Sequence, residues 1–421
     1  MTGDNTISRR RYVQATGAIG VAALAGCADD EPVDADGEQL EIVHWWTAGG
    51  EEEAFNALVE GFEAETDYEA DPNPAPGGAG TAIDAQVQTR VLDEDPPGTF
   101  QIWPGEALRT YTDADALESV GDLWEDQDAY LDSVVEASSP DGTVVAVPIN
   151  IHRLNNVFYN TEVLEDAGVD PDDLGSPEDL LEAFEAADDE GYVGLAQQTQ
   201  EPWGILQLWE VVFTGQHGVD AFQQFLDGDA ASLEDEIQES LELVEEMSEY
   251  FNEDAATVSW DEANADVITG DAAFHHNGDW AAGEYQGEDD FEYGEDWDYM
   301  PFPGTEDVYT MVMDAFVMPT NNPTPDATEA FIEYCSTADA QERFNPHKGS
   351  IPPRTDVPTD EFPPFLQDQM ADFEASSEQV TSISHGSGLE PGIANEVEEE
   401  FAVFTDNWDP EQTTQDLINL F

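Results

Sequence analysis

The chain has 421 residues, of which 40% are hydrophobic and 10% aromatic, enough for two ordinary domains with real cores; a disordered polymer is excluded. Nine Lys+Arg stand against 97 Asp+Glu, a formal net charge of -88, which argues against nucleic-acid binding, since phosphate contacts need a clustered Lys/Arg surface. The acids are spread along the chain and Lys348 is the single lysine, a composition suited to molar salt, where a Debye length of about 3 Å relieves self-repulsion.

The first segment reads as an address. Ser8-Arg9-Arg10-Arg11-Tyr12-Val13-Gln14 resembles the twin-arginine export signal. The weakly apolar stretch from Ala15 to Gly26 is too short to span a bilayer as a permanent helix. It ends in Leu24-Ala25-Gly26-Cys27, which looks like a lipobox, where Cys27 is lipidated and becomes the first mature residue. Residues 1–26 are therefore expected to be a cleaved signal and 27–39 a polar tether. The mature protein is then lipid-anchored on the extracellular face of the cytoplasmic membrane. The other cysteine, Cys335, sits on a helical apolar face and reads as core, so no disulfide framework is expected.

The mature chain alternates strand and helix. Leu40 to Trp46 is a predicted strand, broken by Gly49-Gly50. A helix follows from about Glu51 to Glu65, with Phe55, Leu58, Val59 and Phe62 on one face. Asp71 to Gly80, rich in Pro and Gly, is expected to be loop. Ile83, Val87 and Val91 mark a helix; Thr99 to Trp103 and Thr143 to Ile149 are predicted strands. Ser176-Pro177-Glu178 has the order of an N-cap, a first-turn proline and an early acid. Leu233, Ile237, Leu241 and Val244 mark a long helix, and Ala272 to His275 a short strand. Ala315 to Met318 is a strand, followed by helices near Asp326–Ser336 and Asp339–Phe344 and a mostly helical tail from Glu390. This alternation predicts α/β layers with mainly parallel sheets. No G-x-G-x-x-G, Walker loop, H-E-x-x-H or G-x-S-x-G motif occurs.

Chemistry concentrates in His44-Trp45-Trp46-Thr47-Ala48-Gly49-Gly50-Glu51. Adjacent residues at a strand end point to opposite faces, so one indole faces the core and the other the C-terminal edge of the sheet, where ligands of open α/β sheets bind. Glu51 falls at a helix start, near the positive end of the dipole. An indole stacks on the C–H face of a pyranose and a carboxylate accepts sugar hydroxyls. The competing readings are a core tryptophan and a solvated glutamate. His275-His276 lie on opposite faces of a strand with no spaced partner, and the acidic runs at 188–190 and 288–290 lack the EF-hand pattern, so no metal and no cofactor are expected.

The run Ile42 to Glu51 resembles the start of mature glucose- and mannose-type binding proteins of ABC importers, within the extracellular solute-binding protein family 1. Further landmarks follow in order: Thr89-Arg90-Val91-Leu92 through Asp95-Pro96-Pro97-Gly98-Thr99-Phe100-Gln101, then Val147 to Arg153 with Tyr159-Asn160, then Gly278-Asp279-Trp280, Met313 to Phe316, Lys348 to Arg354, and His385-Gly386. The resemblance implies an α/β fold of the two-lobe, periplasmic-binding-protein type (type II), with crossover strands as hinge and a monosaccharide between the lobes. The positions it assigns to the ligand are Trp45, Trp46, Glu51, Gln101, Trp280, Asp314, Lys348 and His385, with Trp103 two residues after Gln101. Related sequences often carry His at position 103 and Lys at position 88, where this chain has Trp103 and Gln88; Trp103 either enlarges the stacking surface or narrows the pocket.

The expected lobes are 40–150 plus 316–365 and 151–315 plus 366–421, with crossings near Ile149–His152, Ala315–Val317 and residues 360–370. The implied function is capture of a glucose-like monosaccharide by a monomeric receptor that closes about its hinge and delivers cargo to an ABC permease with its ATPase; no catalytic residue is implied. Two rivals stay open at this point. One is a secreted glycoside hydrolase, which would also use Trp and a carboxylate pair. The other is a receptor for a disaccharide or another small polar solute.

Overall fold

Alternating apolar residues on strands and 3.6-spaced ones on helices collect into two separate sets of cores, and those sets define two lobes. In the computed structural model, residues 39–75, 81–124, 126–288 and 290–421 are described; the signal, Cys27 and the tether up to residue 38 lie outside them. Leu40, Ile42, Leu58, Phe62, Phe316, Phe331 and Phe344 anchor the first lobe. Phe184, Trp209, Phe213, Phe274 and Phe401 anchor the second.

The strands in chain order are β1 (Gln39–His44), β2 (Glu69–Pro74), β3 (Thr99–Ile102), β4 (Ala146–Pro148), β5 (His152–Arg153), β6 (Asn156–Asn160), β7 (Val193–Ala196), β8 (Ala272–Asn277), β9 (Trp297–Pro301), β10 (Val308–Val312), β11 (Ala315–Val317) and β12 (Glu378–Thr381). The first lobe carries the five-stranded sheet β2-β1-β3-β11-β4, the second the four-stranded sheet β7-β8-β6-β9, and a three-stranded sheet β12-β10-β5 lies at the crossing. These are mixed sheets, not mainly parallel ones. β11 runs antiparallel to both β3 and β4, and β6 runs antiparallel to both β8 and β9. The reason is topological: a chain that leaves one lobe and returns enters its sheet from the opposite end.

The expected loop at 71–80 is in part a strand. β2 pairs parallel with β1, placing Pro72 opposite Ile42 and Pro74 opposite His44. Proline cannot donate to a ladder, and β2 is an edge strand with one neighbour, which is where such residues are tolerated. Ser176 caps helix Pro177–Glu190 by accepting the Asp179 N–H.

The crossings pass side by side. Ile149 N–H donates to the Asp314 carbonyl (2.9 Å), and Ile151 and Ile351 exchange backbone bonds (2.8 and 3.0 Å). Asn150 lies between β4 of the five-stranded sheet and β5, Met313 and Asp314 lie between β10 and β11, and further on Arg354 bonds the Ser336 carbonyl while Phe362 belongs to one core with Phe158. Close approach across the lobes uses glycine: a Cβ at Gly283 would lie 3.0 Å from the His347 carbonyl oxygen and 3.6 Å from the Gly50 Cα.

Candidate functional site

A cleft of ≈ 550 Å³ opens where the crossing strands meet the two lobes. Its first wall grows from two helix ends. Helix Gly49–Glu65 begins directly after Trp45–Ala48 and puts Glu51 in its first turn. Helix Ala338–Lys348 ends at Lys348 and is closed by Gly349 in the left-handed region, φ 79°. An acid at a helix start and a cation at a helix end each complement the dipole. The two side chains meet, with Lys348 Nζ donating to Glu51 Oε1 at 2.8 Å. Lys348 is 1% exposed and Glu51 9%. The ammonium also stands 5.5 Å from the centroid of Trp280, which belongs to the other lobe.

The floor is a buried polar knot on the crossing strands. Asp314 accepts Gln101 Nε2 at Oδ1 (2.9 Å) and Asn150 Nδ2 at Oδ2 (2.8 Å), while its N–H donates to Asn150 Oδ1 (2.7 Å). His152 Nε2 lies 3.2 Å from Asp314 Oδ2, and its Nδ1 bonds Asp279, which also accepts the Arg153 N–H (3.0 Å). Burial alone would raise the Asp314 carboxyl. The hydrogen bond and charge of His152, with Lys348 and Asn150, outweigh it and hold Asp314 down at about 2. Burial and Lys348 press His152 down, but Asp279 and Asp314 prevail and keep it above its ordinary value.

The remaining surface is aromatic. Trp45, Trp103, Trp203, Trp260 and Trp280 line the cleft, half of the ten tryptophans in the chain. Trp45 and Trp103 are tilted at 5.0 Å, and the His385 ring lies 5.3 Å from Trp103, 5.8 Å from Trp203 and 5.3 Å from Trp280. Burial, with the nearby charge of His152, pushes His385 down to about 3, so its imidazole is neutral.

Of the residues singled out from sequence, Trp45, Glu51, Trp103, Trp280, Asp314, Lys348 and His385 come together on this cleft. Two do not. Trp46 is a core residue, 1% exposed and packed on Phe344, Phe316 and Phe55 at 4.8, 5.8 and 5.9 Å. Neighbouring residues face opposite ways, and Trp45 takes the cleft side. Gln101 lies behind the surface, fully buried; it accepts the Trp45 N–H (3.1 Å) and donates to Asp314, fixing both. Gln88 lies on helix Thr81–Leu92, outside the lining.

Sequence reading missed much of the second wall: Gln200, Glu201, Trp203, Ser259, Trp260 and Asp261. A signal existed. Trp203 follows Pro202 at the start of one helix, and Trp260 follows the N-cap Ser259 inside the capping box Ser259…Glu262 at the start of another. Both helices aim their N-terminal ends at the cleft. His275 and His276 bond the carbonyls of Ala196 (2.7 Å) and Leu154 (3.1 Å), and no group of His, Cys, Asp and Glu arranged to hold a metal occurs among the described residues.

Residues 57–372 match the family model described as bacterial extracellular solute-binding protein. The chain is 34% identical over 426 residues to the xylose/arabinose-binding protein XacG of Haloferax volcanii, covering 93% of this chain and 92% of that one. It is 28% identical to a probable sugar-binding periplasmic protein of Brucella melitensis, over 95% of this chain and 96% of that one. Among solved structures it superposes on the bacterial solute receptor AcbH, described as exclusive for β-D-galactopyranose, with TM-score 0.79, 16% identity and coverage of 91% and 97%. These relatives are solute receptors, not enzymes. With most of its length covered by the model, this chain is a member of the bacterial extracellular solute-binding protein family.

Proposed function

We propose that the protein is the sugar-capturing component of an ABC importer and that its cargo is a monosaccharide, bound in the cleft between the lobes. One observation carries the reading: five indoles and the polar set Glu51, His152, Asp314, Lys348 and His385 converge from both lobes on one ≈ 550 Å³ space. Indole faces match the C–H faces of a sugar ring. The polar groups offer both acceptors and donors, which buried hydroxyls need. The volume lies within the roughly 300–1,000 Å³ of small-molecule sites.

Trp45, Glu51, Trp103, Asp314 and Lys348 contact the sugar from the first lobe and crossing strands, and Trp280 and His385 complete the enclosure. Closure about the hinge brings Trp280 onto a ligand already seated against Lys348, and a permease receives the closed form. The receptor works as a monomer in molar salt, outside the cell, exported by the twin-arginine route and anchored through Cys27. A glucose-like hexose is the first candidate. A pentose is the second, supported by the likeness to XacG and by Trp103, whose indole takes space at the position where related sequences often carry the smaller His.

The deciding experiment is a thermal-shift and calorimetric screen in molar KCl with glucose, galactose, xylose, arabinose and maltose, since a ligand raises apparent stability by mass action. Saturable binding of one monosaccharide without turnover of its glycosides is expected. A flat response to every sugar refutes the reading, and hydrolysis of a glycoside refutes the receptor assignment.

A further inference from the structure

His385 reaches the cleft from the segment that follows β12, and one carboxylate outside the cleft holds that segment. Glu210 lies inside helix Pro202–His217 and is 1% exposed. Its Oε1 accepts the backbone N–H groups of Ile383 (2.8 Å) and Ser384 (2.7 Å), and its Oε2 lies 2.8 Å from Ser382 Oγ. The chain continues from there. Ser382 Oγ is 2.8 Å from Ser384 Oγ, and Ser384 Oγ is 2.9 Å from His385 Nδ1. His385 Nε2 has no hydrogen-bond partner among the described residues and is the nitrogen left for the cleft.

Each hydroxyl in this chain has one proton, so its direction is set at the carboxyl end. An ionised Glu210 can only accept. Ser382 then donates to it, Ser384 donates to Ser382, and Ser384 must accept from His385 Nδ1–H. A neutral imidazole has one N–H, so Nε2 carries a lone pair. A protonated Glu210 donates to Ser382, every bond reverses, and His385 accepts at Nδ1 and carries its proton on Nε2. We propose that Glu210 is a positioning residue which, through Ser382 and Ser384, decides whether His385 accepts a hydrogen bond from the ligand or donates one to it. The inference rests on the sugar reading only for the identity of that ligand.

Burial pushes the Glu210 carboxyl up to about 8, against the opposing hydrogen bonds of Ser384, Ser382 and Ile383. Those three are the hydrogen-bond partners of its carboxyl among the described residues, and no charged side chain adds to or opposes the shift. At the other end, His385 senses His152, Asp314 and Lys348, and stays neutral through this range.

The test uses the full chain labelled with ¹⁵N-histidine and read without ligand by long-range ¹H–¹⁵N spectra, the His385 signals being assigned by their loss in His385→Gln. The expected result is Nε2–H at pH about 6.5 and Nδ1–H at pH about 9, the two sides of the Glu210 carboxyl. Glu210→Gln, whose amide donates to Ser382 at any pH, holds Nε2–H throughout. Ser384→Ala cuts the chain and abolishes the switch with Glu210 intact. One tautomer in the wild type at both pH values, or a switch surviving Ser384→Ala, overturns the proposal; the wild-type measurement stands even if a variant does not fold. A second arm titrates D-glucose and its monofluoro analogues at the higher pH. One analogue, lacking the hydroxyl that donates to His385, is expected to bind roughly tenfold more weakly to the wild type, but not to Glu210→Gln. Equal loss in both proteins counts against the relay, whereas absence of any glucose binding counts against the hexose assignment alone and leaves the relay to the spectra.

Discussion

Replacing Lys348 by Met tests the centre of the site. Methionine keeps an unbranched stem of similar reach and removes the charge. The structure gives two consequences. The Glu51 carboxylate, 2.8 Å from the ammonium and with its side chain 11% exposed, loses its partner. Breaking a buried pair costs about 3–5 kcal/mol; Glu51 retains some access to water through the cleft, so the lower end, about 3 kcal/mol, is expected for the unliganded protein. The ligand also loses a charge-assisted hydrogen bond of roughly 1.5–3 kcal/mol, which is a 10- to 150-fold weaker Kd at about 1.4 kcal/mol per decade. Loss of the cation over Trp280 (5.5 Å) removes a further contact between the lobes. Screening does not rescue or erase the effect, because a buried pair is little affected by salt. Arg is a poor substitute, since its planar fork does not fit a site built for a point charge. Calorimetric titration and urea unfolding, both in molar KCl, give the two numbers. A Lys348→Met variant with Kd within about threefold of wild type would refute the placement of Lys348 against the ligand.

Trp46→Ala is expected to cost about 3–5 kcal/mol in urea unfolding while the folded protein keeps its Kd; Trp45→Ala should weaken binding with little loss of stability. Gly283→Val places methyl groups against the His347 carbonyl and Gly50. It should weaken ligand binding by about 1–3 kcal/mol and abolish the contraction expected on ligand binding, with small-angle scattering as the readout. The Glu210 carboxyl is raised in the folded state from 4.5 to about 8. Its contribution to stability is therefore greatest below the lower value and is lost as pH rises through the upper one. The stability of wild type relative to Glu210→Gln should fall by roughly 1.4 kcal/mol per pH unit across that window and level off above it. Lowering KCl from molar to about 0.1 M stretches the Debye length from about 3 to about 10 Å and should lower the melting temperature.

The elements that were legible in the sequence are those whose own pattern decides them. Phe55, Leu58 and Phe62 repeat at helical spacing, and helix Gly49–Glu65 buries that face. Ser176 and Pro177 announce a helix start, and one begins there. What failed depended on neighbours. Glu69–Pro74 carries loop-forming residues, and only the free side of an edge position makes it a strand. Strand direction was misjudged for the same reason. Alternation of strand and helix argues for parallel pairing within one continuous sheet, but β11 arrives from the other lobe, and nothing in Ala315-Phe316-Val317 records where the chain has been.

The site divides along the same line. Lys348 stood out because a chain holding a single lysine has reason to keep it, and it lies buried against Glu51. The acids offered no such contrast. Apart from Glu51, placed by its helix start, and Asp314, placed by the family resemblance, acids such as Glu201, Glu210 and Asp261 are chemically alike among 97 acidic residues, and no local pattern separates them. The fold does. Glu201 and Asp261 open onto the cleft, Glu51 is neutralised by the one lysine, and Glu210 is shut in behind the wall with two backbone amides and a hydroxyl. In a protein whose surface is almost uniformly acidic, identity carries little information about a carboxyl group and burial carries nearly all of it. Trp45, Trp103 and Trp280 were singled out from the sequence together with Glu51 and Asp314, whereas Trp203, Trp260 and the carboxyl groups of Glu201, Glu210 and Asp261 became visible only once the fold showed their surroundings.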